Sequence, residues 1–126
     1  MKDQSIVSQA AGLVEEKMEA LGLSHRVDVA ITYDPDSNKN IVRATTTEGE
    51  DRFDRRYLVL RNSLPLEAQV DIFMNFYEKR LPFLKASYHW QLEAVKNNVH
   101  PQMFKAWFDS KKVKASDMWK SNKELV

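Results

Sequence analysis

The chain contains no cysteine, and only three glycines and four prolines among its 126 residues. Without cysteine there is no disulfide, no thiolate-held zinc and no thiol nucleophile. That absence suits a reducing compartment, and a cytoplasmic location is expected. So few glycines and prolines exclude collagen-like and low-complexity architectures. No run of apolar residues approaches the roughly 20 that a membrane-spanning helix needs. The first residues lack the apolar stretch of a secretory signal peptide, and Glu15, Glu16, Lys17 and Glu19 follow soon after, so no signal peptide and no membrane association are predicted. Phosphate-binding glycine loops, dinucleotide fingerprints, a Gly-x-Ser-x-Gly elbow and a His-Glu-x-x-His zinc motif are missing as well. The chain is therefore predicted not to be an enzyme and to use no cofactor.

What remains is the composition of one globular domain spanning residues 1–126, with 43% hydrophobic and 29% charged residues. A domain of this length buries roughly two-thirds of its unfolded surface, enough for a core without staples. The net charge is +1, unevenly spread. Residues 1–63 hold nine basic and eleven acidic residues, and residues 64–126 hold ten basic and seven acidic. The C-terminal half is mildly basic, less so than a dedicated nucleic-acid binder.

Ile6, Ala10, Leu13, Val14, Met18 and Leu21 recur at helical spacing, predicting an amphipathic helix over 3–21. Asp3 is its expected N-cap and Gly22 its C-terminal stop. Gly12 costs about 1 kcal/mol inside a helix and is expected to mark a close contact. Val27, Val29, Ile31 and Tyr33 alternate with polar residues as in a half-buried strand. Turn formers at 34–40, a β-branched strand over 41–47, a turn at 48–51 and a third strand over 52–60 predict an antiparallel meander. On the third strand Phe53, Tyr57 and Val59 share a face, and its end, Tyr57-Leu58-Val59-Leu60, reads as covered on both sides.

The period then becomes helical. A helix capped by Ser63 carries Leu66, Val70, Phe73, Met74, Tyr77 and Leu81, with Ile72 and Phe76 widening its apolar stripe. Pro82 ends or kinks it. A helix over 83–97 carries Leu84, Tyr88, Leu92 and Val95. A short one runs from Pro101 to Asp109, and Ser116 can cap a last helix through Leu125. The expected fold is α+β: an N-terminal helix, a three-stranded antiparallel meander, then three to four C-terminal helices packed on one face of the sheet. No family pattern matches. The order helix, three strands, helix is shared with double-stranded-RNA-binding domains, whose basic second-helix start has no counterpart after Ser63, and with many small phage-encoded inhibitors.

Asp34-x-Asp36-x-Asn38-x-Asn40 copies the first ligand spacing of a calcium loop, but Lys39 stands where a glycine should turn the chain and Thr45 where a bidentate Glu should be. A solvated turn accounts for the segment. His89 and Glu93 share a helical face and could join His100 in a three-ligand site, although an ordinary surface pair suffices. Glu48, Glu50, Asp51 and Asp54 read as a charged hairpin tip rather than an acid–base pair.

Ten of the thirteen aromatics lie between Phe73 and Trp119. That excess predicts a non-enzymatic protein-binding module (adaptor, inhibitor or assembly factor) or a self-associating one. Ile72, Phe76, Trp90 and Trp107 are its expected interface. The alternative is nucleic-acid binding by Lys105, Lys111, Lys112, Lys114, Trp119 and Lys120, with Arg55 and Arg56 in a second patch. A small enzyme of unknown reaction, with His25, His89 or His100 beside a carboxylate, is the remaining alternative.

Overall fold

The computed structural model describes residues 2–49, 52–112, 114, 116 and 118. Helix α1 (Lys2–Ala20) is followed by strands β1 (Val27–Asp34), β2 (Lys39–Gly49) and β3 (Arg52–Leu58), then helices α2 (Leu66–Glu78), α3 (Leu81–Lys85), α4 (Tyr88–Lys96) and α5 (Phe104–Ser110), the last entered through a 3₁₀ turn at Pro101–Met103. The strands form one antiparallel sheet in the order β1-β2-β3, and the α+β meander expected from the sequence is what forms. No helix among the described residues is long and apolar enough to cross a membrane.

Helix α1 starts at Lys2, so Asp3 lies within it rather than capping it. Its end is a Schellman closure: Gly22 N donates to Glu19 O and Leu23 N to Met18 O, with Gly22 at φ +75°. The paired apolar residues of that motif, Met18 and Leu23, are both buried. Gly12, by contrast, makes no close contact. A Cβ built there meets nothing within 4 Å, which corrects the reading of that glycine.

The register of the sheet decides which residues share a face. Val29 pairs with Ala44 and Ala44 with Arg56; Ile31 pairs with Val42 and Val42 with Leu58. These positions face the helices. Val42, Ala44 and Leu58 join Val14, Met18, Val70, Phe73, Tyr77, Phe83, Ala94 and Phe104 in one buried core. Side chains one residue along point the other way, because strands alternate. A bulge between Thr47 and Gly49 leaves Glu48 without a partner in the ladder.

The helical half departs from the expected boundaries. Helix α2 begins after Pro65 with no side-chain cap, and Ser63 is exposed in the preceding turn. The loop is held instead by Gln69, whose Oε1 accepts from Arg61 N (2.7 Å) and whose Nε2 donates to Arg61 O (2.8 Å) and Leu64 O (2.9 Å). The helix expected over 83–97 is two helices, broken where Ala86 turns extended. Ser87 N at that break donates to Met118 O. The break rotates α4, so Gln91 and Ala94 are buried while Leu92 and Val95 are exposed. Gln91 Nε2 is satisfied by Phe83 O at 2.7 Å. The last expected helix, 116–125, lies outside the described residues apart from Ser116 and Met118.

Candidate binding surfaces

Packed helices α1, α2 and α4 touch the sheet, and the burial pattern shows that they cover one face. On β3, Asp54 and Arg56 are half-buried and Leu58 is buried, whereas Phe53, Arg55 and Tyr57 are exposed. Among the described residues no helix covers the opposite face. Among the described residues Tyr57-Leu58-Val59-Leu60 is thus covered on one side only, because Tyr57 and Val59 are exposed while Leu58 is buried.

That bare face has a definite composition. Thr47 stands opposite Phe53, Thr45 opposite Arg55 and Arg43 opposite Tyr57. Phe53 is 59% exposed and Tyr57 53%. Tyr33, the third exposed aromatic among the described residues, stands by register in the other row, with Ile31 and Val29. Ile41 is 4% exposed yet stands outside the helix-side core. It floors an open groove of about 410 Å³, walled by Arg43, Tyr57, Val59 and the β1–β2 turn. The Nε of Arg43 is buried with no hydrogen-bond partner among the described residues.

The residues expected to form a helical interface are largely taken up by the fold. Their neighbours on α2, Phe73 and Tyr77, are core residues and buried. Phe76 is half-buried, with the Arg56 and Arg80 guanidiniums each 3.7 Å from its ring centroid. Arg80 also donates to Phe76 O at 3.0 Å. Burial, and then the neighbouring Arg56 charge, lower the Arg80 pKa from its ordinary value. Trp90 and Trp107 are half-buried and meet edge to face at 6.2 Å, and Trp90 packs on Phe108 at 4.9 Å. Of the four, only Ile72 is strongly exposed, at 68%. Phe76 belongs to the ring group of α2, Trp90 and Trp107 to that of α4 and α5, and no ring contact joins the two groups among the described residues.

The expected basic surface is dispersed too. Lys105 pairs with Asp109 at 3.3 Å and Lys111 lies over Trp107 at 5.2 Å. Lys112 and Lys114 are exposed, and Trp119 and Lys120 lie outside the described residues. Arg55 and Arg56, adjacent in sequence, part company: Arg55 stands on the bare face and Arg56 reaches over Phe76 on the helical side. Strand alternation carries that signal, and with it the triplet Phe53, Arg55, Tyr57 is visible in the sequence as one row. Which row the helices leave open is not.

The remaining clusters resolve as structural. Asp34 accepts from Asp36 N (3.2 Å) and from Ser37 Oγ (2.7 Å), and Asn38 adopts φ +54° beside a bond from the Tyr33 hydroxyl. The Ser37 bond is the largest cause of a lowered Asp34 pKa. His89 meets Trp90 edge-on, Glu93 pairs with Lys96 at 3.6 Å, and His100 Nδ1 accepts from Gln102 N at 3.1 Å to cap the 3₁₀ turn. Among the described residues no three His, Asp or Glu side chains gather to hold a metal. Near the second hairpin, burial and then Asp54 raise the pKa of Glu48, against the pull of Arg52; Glu50 and Asp51 lie outside the described residues. Burial pushes the Tyr77 phenol up to about 12.

Fold and surface together define an α+β architecture with helices on one side of a three-stranded sheet and, among the described residues, an uncovered aromatic–arginine face on the other. No protein-family model, no curated protein and no solved structure matches the chain.

Proposed function

We propose that this protein is a non-enzymatic binding module whose contact surface is the bare face of the sheet. The observation that carries this reading is the pair of rings, Phe53 and Tyr57, both more than half exposed on either side of Arg55, on a face that no helix covers among the described residues. A ring left out of the core forgoes about 1–2 kcal/mol of apolar transfer energy. A partner that covers both rings recovers it. Aromatic residues and arginine are the types enriched where proteins make contacts. The helical surface supports the module less well: its exposed apolar side chains, Ile72, Met103, Leu92 and Val95, include no aromatic ring, and scattered exposed apolar side chains are ordinary.

The test is affinity capture on the immobilised full-length chain from a lysate of its native host, with retained protein identified by mass spectrometry and retained nucleic acid by nuclease sensitivity. Phe53→Ser combined with Tyr57→Ser is expected to lose the retained material, and Ile72→Ser to keep it. Capture that persists in the double variant, or that only Ile72→Ser abolishes, would overturn the reading.

A further inference from the structure

Resting on that reading of the bare face, we infer that its occupant is single-stranded nucleic acid. The first argument is the alternation on β3. Phe53, Arg55 and Tyr57 occupy successive outward positions, so the two rings stand about 13 Å apart along the strand with a cation between them. Flat rings separated by a positive charge suit a chain that offers planar bases joined by phosphates. Sequence-tolerant stacking needs only a base face, which every nucleotide has.

The second argument is charge. Arg55 has no partner among the described residues, and Arg43 lies diagonally across from it, beside Tyr57. Neither arginine takes part in an ion pair there. Along the outward rows of β2 and β3, from Lys39 to Thr47 and from Phe53 to Tyr57, there is no carboxylate. The acids of this face, Asp28 and Asp34, belong to the far strand β1, and Asp34 is already bonded to its own turn. Thr45 and Thr47 line the same strip, with hydroxyls able to donate or accept.

Other occupants fit less of this. A duplex hides its base faces in the stack and presents only edges and phosphates, so the two rings would have nothing to stack on. An acidic peptide would neutralise the arginines but offers no row of planar faces. A second copy of the chain would bring the same two cations into the contact, with counter-charges only at the β1 edge.

Fluorescence anisotropy with labelled oligothymidylate and oligouridylate of about 15 nucleotides tests the assignment, since single-strand sites of this kind span about that length or less. The full-length chain is expected to bind at about 50 mM salt, with log affinity falling against log salt at a slope of roughly −1.4 to −2.1 for two or three neutralised phosphates. Phe53→Ala and Tyr57→Ala are each expected to weaken binding about tenfold or more. Tyr57→Phe should keep it, because the ring stacks and the hydroxyl does not. Arg55→Glu should weaken it and flatten the salt slope, while Ile72→Ser leaves it unchanged. A duplex of the same length bound as tightly would overturn the inference, as would binding indifferent to loss of both rings. If no oligomer binds at low salt while capture of a protein still depends on Phe53 and Tyr57, the nucleic-acid assignment falls and the sheet-face reading stands. If both dependences are absent, both fall.

Discussion

Two glycines, one inside α1 and one just past its end, separate a conformational need from an incidental choice. Gly22 sits at φ +75°, and a Cβ there would also come within 3.0 Å of the Lys85 side chain. Gly12 is helical, exposed and has open space around its Cα. Gly22→Ala should therefore destabilise the protein by about 1–2 kcal/mol. Gly12→Ala should stabilise it by about 0.5–1 kcal/mol through lower unfolded-state entropy and better helix propensity. Urea titrations of the two variants check the opposite signs. Glu48 supplies a pH-dependent counterpart. Its carboxyl pKa is raised by burial first and by Asp54 second. The folded state then binds the proton more tightly than the unfolded state does. The contribution to stability is present below the ordinary glutamate pKa and is lost as pH rises through the folded value. Glu48→Gln removes that loss. It should raise the unfolding midpoint at about pH 7, and the gain should shrink towards zero below about pH 4, where the wild-type side chain is already neutral.

Individual elements were legible wherever one periodic signal decided them. Helix α1 and its stop at Gly22, the β1–β2 turn at 34–38, and the buried stripe through Val70, Phe73, Met74 and Tyr77 all follow from spacing and turn chemistry. The break at Ala86-Ser87 was not legible, because neither residue is a helix breaker; Pro82, read as the breaker, sits in the first turn of α3 instead. Gln69 and Gln91 were missed for a related reason. A glutamine looks like a surface residue until the backbone groups it satisfies are known, and those lie in segments that only the fold brings near. Gln69 makes three hydrogen bonds to the loop before α2 while only 7% exposed. Replacing it by Leu keeps the bulk but strands the buried ends of those bonds, at a cost of about 2–3 kcal/mol. Hydrogen exchange should show the amide of Arg61 losing protection before the core strands do.

At the scale of the whole molecule, the sheet divides its labour between faces. The helix-side row through Val42, Ala44 and Leu58 holds the protein together, and the outward row through Phe53, Arg55 and Tyr57 is free of that task. Sequence alternation placed Phe53, Tyr57 and Val59 on one face, but which face the helices cover depends on where α1, α2 and α4 pack, and no local pattern encodes that. The aromatic excess of the second half pointed to the helices, whereas most of those rings fill the core and the exposed ones stand on strands with far fewer aromatics. Stability and binding should therefore separate by face. Val42→Ala, at a site with no exposed surface, should cost about 1–3 kcal/mol, counting both the lost transfer energy and the cavity. Phe53→Ser and Tyr57→Ser, on an edge strand and mostly in solvent, should each cost less than about 1 kcal/mol, the range of strand propensity alone. Ile41→Ser tests the division most sharply, because Ile41 is buried on the outward face beneath Tyr57 and Val59. It should destabilise nearly as much as the core substitution, and so mark the groove floor as the one part of the bare face that the fold also needs. Parallel thermal melts of these variants would separate these outcomes. A large loss for the Phe53–Tyr57 pair would mean that the rings hold up the fold, and would leave the binding reading without its basis.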